Sequence, residues 1–148
     1  MYKLLKARIK RIDKTLPLPK YQTNGSVAFD LYSRLNMEIK PKSIAIIPAN
    51  LIIEIPKGYM LMLAARSSTP RRKGLSIPNG IGIIDQDYHG EQDEFSLQVY
   101  NFTEQKVKIE RGERIGQAVF VRIDTAQWEE TDKMSDTNRG GFGSTGKF

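Results

Sequence analysis

Apolar and polar positions alternate in short blocks along most of this chain. Six blocks are rich in residues that favour β-structure. They span residues 43–47, 51–55, 59–63, 95–100, 106–109 and 117–123. Turn-forming sequences such as Pro56-Lys57-Gly58 and Arg111-Gly112-Glu113 separate several of them. This regular spacing predicts an all-β barrel or sandwich.

Two segments depart from the strand pattern. Residues 67–73 could form a short helix, and Pro70 suits the first turn of such a helix. Residues 131–148 carry four glycines and few large apolar side chains, so they cannot bury enough surface to stay ordered alone. We therefore predict a β-barrel domain over residues 1–130 and a flexible glycine-rich tail over residues 131–148.

Composition narrows the class of protein. The 148 residues, 39% of them hydrophobic, suit one domain with a single core, and the absence of cysteine excludes disulfides and thiolate chemistry. No apolar run approaches the roughly 18 residues of a membrane span, and the basic start lacks the apolar stretch of a signal peptide. We expect a cytoplasmic protein, in the host cytoplasm if its source is viral, with no membrane partner.

A net charge of +6 favours anionic partners. Nucleic acid is one of them, but the basic residues are scattered and no series of aromatic residues lies beside them for stacking on bases. We therefore expect no nucleic-acid partner.

Two segments could hold a nucleotide base and carry a reactive carboxylate. Asn79-Gly80 between apolar stretches is typical of a β-hairpin, whose backbone N–H and C=O groups are accessible to a flat ligand. Asp85 follows directly, and regular strand alternation would place Asp85 and Asp87 on one face. A carboxylate that leaves an apolar run is costly to bury without a partner. An ordinary hairpin and a turn aspartate are the alternatives.

Two further segments could hold phosphates. Arg66-Ser67-Ser68-Thr69 joins a guanidinium to three hydroxyls where a strand ends, although serine and threonine also cap helices. Residues 139–146 form a glycine-rich stretch that could cradle an anion, with Phe142 available to stack on a base. Together the four segments indicate a nucleoside triphosphate site.

The same segments belong to a larger pattern of five ordered motifs between about Gly25 and Gly146. The motifs are Val27-Ala-Phe-Asp-Leu-Tyr-Ser, Ala65-Arg-Ser-Ser-Thr-Pro-Arg-Arg-Lys-Gly-Leu, Asn79-Gly-Ile-Gly-Ile-Ile-Asp-Gln-Asp-Tyr-His-Gly-Glu, Arg111-Gly-Glu-Arg-Ile-Gly-Gln-Ala-Val-Phe and Gly140-Gly-Phe-Gly-Ser-Thr-Gly. In these motifs the chain resembles the homotrimeric dUTPase family. Five motifs in the right order are very specific. The resemblance implies a jelly-roll-like, distorted β-barrel of the β-clip type with at most one short helix. It also implies a homotrimer whose sites lie at subunit interfaces, with the tail closing over the active site.

The resemblance further implies Mg²⁺-dependent hydrolysis of dUTP to dUMP and pyrophosphate. Asp85 would be the general base that orients the water attacking the α-phosphorus. The phosphate-binding residues would be Arg66, Ser67, Ser68, Gln117, Arg139, Ser144 and Thr145. Asp30 would support them, and Mg²⁺ would be held mainly through phosphate oxygens and waters, with no direct protein ligand.

Selectivity is implied on the nucleoside side. The residues that would contact uracil and deoxyribose are Asn79, Gly82, Ile84, Tyr88 and Phe142. Backbone groups of the hairpin would pair with the uracil edge, which cytosine does not match. Tyr88 under the deoxyribose would leave no room for a ribose 2′-hydroxyl.

The chain departs from the family in four places. Ala28 and Ala65 replace a glycine and a proline that are usual there. The segment between Glu91 and Asn101 is about two residues longer than usual, which predicts a wider turn or a bulge. Arg139 lies three residues before Phe142 instead of five, which puts its phosphate role in question.

Two other functions remain open from the sequence. A dCTP deaminase-like enzyme of the same fold would need a catalytic glutamate after the third motif and lacks this Asp-x-Asp-Tyr arrangement. A non-catalytic nucleotide-binding regulator would keep the site without its activity.

Overall fold

The structure is a computed structural model that describes residues 4–135, 137–142, 144 and 146. In those residues the chain forms eleven β-strands and one short α-helix. The elements in chain order are β1 (Arg8–Arg11), β2 (Phe29–Tyr32), β3 (Met37–Ile39), β4 (Ile44–Pro48), β5 (Leu51–Glu54), β6 (Tyr59–Ala64), α1 (Thr69–Lys73), β7 (Leu75–Ser76), β8 (Gly82–Ile84), β9 (Ser96–Asn101), β10 (Val107–Ile109) and β11 (Arg114–Arg122). This confirms the all-β fold with a single short helix.

The strands form two larger sheets and two antiparallel pairs. The four-stranded sheet has the order β2-β11-β6-β8, and the three-stranded sheet has the order β4-β9-β7. The pairs are β1 with β5 and β3 with β10. Every strand pairing is antiparallel. The arrangement is the jelly-roll-like architecture that the motifs implied.

One hydrophobic core joins the two larger sheets. Leu61 and Leu63 of β6 are at most 1% exposed and alternate with half-buried methionines, as expected for a strand with one inner face. Leu97 and Val99 of β9 face the same core from the other sheet. Phe95, which precedes β9, is completely buried. The core therefore fixes the strands whose ends carry the motif residues.

The predicted strands are present with shifted ends, and β8 lies where the predicted hairpin required a strand. Four others were missed, namely β1, β2, β3 and β7, each four residues or shorter. Short strands give too few alternating positions to be recognised, and the sequence of β1, Arg-Ile-Lys-Arg, is mostly basic. The predicted helix over residues 67–73 is confirmed in shorter form as α1, with Pro70 in its first turn.

The prediction of a hairpin at Asn79-Gly80 was wrong. The segment makes a turn in which the Gly80 N–H donates to the Ile77 carbonyl over 3.0 Å, and Gly80 has φ +79°. The flanking strands belong to different sheets, because β7 pairs with β9 and β8 pairs with β6. The turn therefore links two sheets.

The segment between β8 and β9 forms turns, with no strand or helix. Strands β4 and β9 pair in regular register, so no bulge is present in their pairing. The register irregularity lies in β11 instead, between Arg114 and Gly116 where that strand pairs with β2. The prediction of a bulge in this segment is therefore not met in the β4–β9 pairing, and the wider turn stays a prediction.

Beyond Ile123 the described residues form no strand or helix, and nearly all are exposed. No helix in the described part of the chain is long and apolar enough to cross a membrane.

Candidate active site

Asp30 is the centre of a cluster of polar side chains at one end of the four-stranded sheet. It lies on β2 and is only 8% exposed. The Nε of Arg66 lies 3.0 Å from its Oδ1, and the Nη1 of Arg114 lies 3.3 Å from its Oδ2. Gln22 donates a further hydrogen bond to Oδ2 over 3.3 Å. The charge of a buried carboxylate that contacts two guanidinium groups is balanced by them, and the carboxylate holds both arginines in place.

Strand register explains how these residues meet. On β11, Gln117 lies opposite Asp30 on one side and opposite Ala64 on the other. Directly opposed residues of an antiparallel sheet project from the same face. Gln117 also donates to the Ala65 carbonyl over 2.9 Å, which fixes the backbone just before Arg66. Three separate motifs therefore converge here.

A basic pocket of about 240 Å³ lies next to this cluster. Its lining residues are Arg66, Ser68, Thr69, Arg72, Lys73, Glu113 and Arg114. Four of them are basic and one is acidic, so the pocket attracts anions. Ser68 occupies the N-cap position of α1, but its hydroxyl makes no capping hydrogen bond. The structure therefore does not support the alternative that Ser68 is an ordinary helix cap.

Arg72 and Arg114 line this pocket but were not among the phosphate-binding residues predicted from the sequence. Arg114 approaches Asp30 because β11 pairs with β2 through an irregular register, which the sequence does not reveal. Arg72 lies one helical turn after Ser68, since its N–H donates to the Ser68 carbonyl over 2.9 Å. The run of three basic residues from Arg71 to Lys73 was the sequence pattern that could have indicated the position of Arg72 at this pocket.

The segment from Asn79 to Ile84 presents backbone groups at a sheet edge. Strand β8 is the last strand of its sheet, so one row of its N–H and C=O groups pairs with β6 and the other row faces outward. The Asn79 side chain donates to the Ile81 carbonyl over 2.9 Å, which stiffens the turn. A Cβ added at Gly82 would lie 3.1 Å from Leu63 Cβ, so this glycine permits close packing of β8 on β6.

Asp85 and Tyr88 lie in the turn that follows β8. The strand ends at Ile84, and the Tyr88 N–H donates to the Asp85 carbonyl over 3.3 Å. The prediction that Asp85 and Asp87 share a strand face was therefore wrong, because alternation stops where the strand stops. Asp85 is exposed in the single chain. Tyr88 is 40% exposed and stacks on Phe95, with ring centroids 6.4 Å apart.

One chain does not bring Asp85 to the basic pocket. Ile84 pairs with Leu61 near the start of β6, whereas Arg66 follows the other end of that strand. At about 3.3 Å per residue, the two backbone segments lie roughly 16 Å apart. Asp85 and Arg66 thus lie near opposite ends of β6.

The tail residues of the predicted site lie outside these two clusters. Arg139, Phe142 and Ser144 are exposed. The Arg139 guanidinium donates to the neighbouring Gly140 carbonyl over 3.5 Å. Thr145, which was also predicted to bind phosphate, lies outside the described residues.

The sequence model of the dUTPase family matches residues 14–146. The chain belongs to the dUTPase family. It is 39% identical to the deoxyuridine 5′-triphosphate nucleotidohydrolase of Dictyoglomus turgidum, over 97% of this chain and 99% of that relative.

Solved dUTPase structures share this architecture. The dUTPase of Streptococcus mutans superposes with a TM-score of 0.75 at 31% identity, over 81% of this chain and 98% of that chain. The dUTPase of Staphylococcus bacteriophage 80alpha, solved with dUpNHpp, superposes with a TM-score of 0.83 at 24% identity, over 95% of this chain and 98% of that chain. At that lower identity the phage protein supports the fold alone.

Proposed function

We propose that this protein hydrolyses dUTP to dUMP and pyrophosphate. The observation that carries the proposal is the basic pocket built around the Arg66–Asp30 pair, in a chain of the dUTPase family. The Asp30 contact uses Arg66 Nε, so the terminal nitrogens of that guanidinium can bind phosphate oxygens. Ser68 supplies a hydroxyl on the same pocket. Ser67 is exposed on the neighbouring turn, and Gln117 holds the Ala65 carbonyl beside it.

The active site is composite and forms between subunits of a homotrimer. The separation of Asp85 from Arg66 along β6 supports this, because a triphosphate held by Arg66 of one subunit needs a carboxylate from elsewhere. Exposed apolar side chains on β8 and before it also support an interface. Ile81 is 40% exposed and Ile83 is 58% exposed.

Asp85 is the general base. Its exposed carboxylate, at the end of the base-binding strand, can accept a proton from a water that attacks the α-phosphorus. The P–O bond to the α-phosphorus then breaks, and pyrophosphate leaves with its charge neutralised by the basic pocket. In this arrangement the Asp85 carboxylate lies on the nucleoside side of the α-phosphorus, and the Arg66 guanidinium lies on the side of the leaving phosphates. The attacking water and the leaving pyrophosphate are then on opposite sides of that phosphorus.

Uracil binds along the outer edge of β8. The outward-facing backbone groups between Asn79 and Ile84 can pair with the carbonyl, N–H and carbonyl of the uracil edge. Cytosine reverses part of this pattern and would leave buried groups unpaired. Tyr88, whose ring stacks on Phe95, lies four residues after Ile84 and would contact the sugar.

Mg²⁺ accompanies the triphosphate. Within the described residues no group of three His, Cys, Asp or Glu side chains could hold a metal ion, and both Asp30 oxygens contact arginines. Mg²⁺ commonly binds substrate phosphates and waters, and it neutralises developing charge there. The residues of the pocket fit this mode, since Arg66, Arg114 and Ser68 would hold the phosphates that carry the ion.

The chain is divided into a catalytic barrel over residues 1–130 and a tail over residues 131–148 that closes on the site. Exposed Phe142 would stack on uracil, while Arg139, Ser144 and Thr145 would approach the phosphates. Closure would exclude bulk water and strengthen the charge contacts.

Pyrophosphate release from dUTP, dCTP, dTTP and UTP, with and without Mg²⁺, tests the proposal. We expect Mg²⁺-dependent release from dUTP far above release from the other three. Release no faster from dUTP than from dCTP would contradict the substrate assignment. Ammonia release from dCTP would instead identify a deaminase.

A further inference from the structure

The loop that carries Asp85 and Tyr88 is anchored at its far end by Glu94. The Oε1 of Glu94 accepts from Arg34 Nε over 2.8 Å, and its Oε2 accepts from Arg34 Nη2 over 3.0 Å. Oε1 also accepts from the Asn50 N–H over 2.9 Å. The two side chains are 27% and 17% exposed, so this paired contact is partly shielded from water. The Glu94 carboxylate thus accepts three hydrogen bonds.

The anchor reaches Tyr88 by two contacts. The Tyr88 hydroxyl lies 3.4 Å from the Glu94 carbonyl oxygen, to which it donates. The Tyr88 ring also stacks on Phe95, the next residue, with an angle of 21° between the rings. Phe95 is itself fixed, because its N–H donates to Leu51 and its carbonyl accepts from Ala49, both over 2.8 Å.

We infer that the Arg34–Glu94 pair is a positioning device that sets the Tyr88 ring and thereby discriminates deoxyribose from ribose. The inference rests on the proposed function, in which Tyr88 contacts the sugar. Glu94 lies in the segment between Glu91 and Asn101, which the sequence predicts to be longer than usual for the family.

The physical argument concerns rotational freedom of Tyr88. A ring that is held on one face and at its hydroxyl leaves little room for a 2′-hydroxyl on the sugar above it. If Glu94 loses its charge, its bonds to Arg34 become weaker and the loop end moves more freely. A looser ring admits ribose, so UTP turnover rises relative to dUTP turnover.

The test compares two conservative variants with the wild-type protein. Glu94→Gln keeps the size of the side chain but removes its charge, and Arg34→Lys keeps the charge but removes the two-point geometry. We expect the ratio of kcat/KM for dUTP to that for UTP to fall about three- to tenfold in each. The matched control is Glu104→Gln, which removes the charge of an exposed glutamate paired with Lys42. It should leave the ratio unchanged.

A readout without substrate separates this inference from the proposed function. Nuclear Overhauser contacts between the Tyr88 and Phe95 rings should be strong in the wild-type protein and weakened in both variants. Wild-type protein that releases no pyrophosphate from dUTP would overturn the proposed function, whatever the ring contacts show. Unchanged ring contacts and an unchanged substrate ratio in Arg34→Lys would overturn the positioning role, even if Glu94→Gln fails to fold.

Discussion

The Nε of Arg66 lies 3.0 Å from the Oδ1 of Asp30, although 36 positions separate the two residues along the chain. Asp30 lies on β2, and Arg66 follows the end of β6. Strand β11 lies between them and pairs with both. The orientation of the Arg66 guanidinium, which we propose to bind phosphate, therefore depends on the packing of three strands.

Asp30→Asn should destabilise the fold and weaken phosphate binding by Arg66. The substitution leaves Arg66 and Arg114 without their shared charge partner, at a cost of about 1–3 kcal/mol in the free energy of unfolding. A displaced Arg66 should lower kcat/KM for dUTP about 10- to 100-fold. Urea unfolding and steady-state kinetics measure the two effects. Asp124→Asn, at an exposed position, is the control. A normal kcat/KM in Asp30→Asn would show that the Arg66–Asp30 pair plays no part in catalysis.

Gly116→Ala should destabilise the four-stranded sheet. An added Cβ would lie 2.8 Å from Leu97 Cδ2 and 3.1 Å from the Ala64 carbonyl oxygen, and a backbone atom cannot rotate away. We expect a loss of about 1–3 kcal/mol in the free energy of unfolding. Gly25→Ala is the matched control, because nothing lies within 4 Å of its added Cβ. Equal stability of the two variants would contradict the packing argument.

Asp13 should contribute to resistance against acid. Hydrogen bonds from Thr15, and then from Arg111, lower the pKa of Asp13 from its ordinary value of 3.8 to about 2. A carboxyl group whose pKa is lower in the folded state stabilises the fold fully above about pH 4 and loses that effect as the pH falls through 2. Wild-type protein should therefore exceed Asp13→Asn in stability at neutral pH, with a gap that closes between about pH 4 and pH 2. A gap that is constant over this range, measured by urea unfolding, would rule out the charge of Asp13 as its cause.

Deletion of residues 140–148 should separate activity from stability. Since the described tail residues are exposed and form no strand, their removal should lower the thermal midpoint little while most dUTP hydrolysis is lost. Differential scanning calorimetry and the pyrophosphate assay check the two parts. A large drop in the midpoint would mean that the tail belongs to the fold.

The grouping of Asp30, Arg66 and Gln117 illustrates what the sequence can predict. Their motifs indicated a shared phosphate site, and the register of β11 accounts for the convergence. The contact of Arg114 with Asp30 could not be predicted, because it depends on an irregular register between β2 and β11. A contact of this kind is set by tertiary packing, which local sequence patterns do not encode.

Local patterns also failed where a short strand changed partners. Asn79-Gly80 has the sequence of a hairpin turn, yet the strands on either side pair elsewhere in the fold. Likewise Asp85 and Asp87 lie in a turn, because β8 ends at Ile84. Strand alternation predicts a shared face only for as long as the strand continues.

Subunit mixing tests most directly the claim that Asp85 and Arg66 act in one site from different chains. Asp85→Asn should lower turnover by about 10²–10⁴-fold. Arg66→Ala should weaken binding of the dUTP phosphates. If the two variants are co-expressed in equal amounts and the mixed trimers are purified through two tags, some sites receive both wild-type residues. In each mixed trimer one of the three sites receives both wild-type residues, so the activity should be about a third of the wild-type value. Mixed trimers no more active than either variant alone would contradict the composite site.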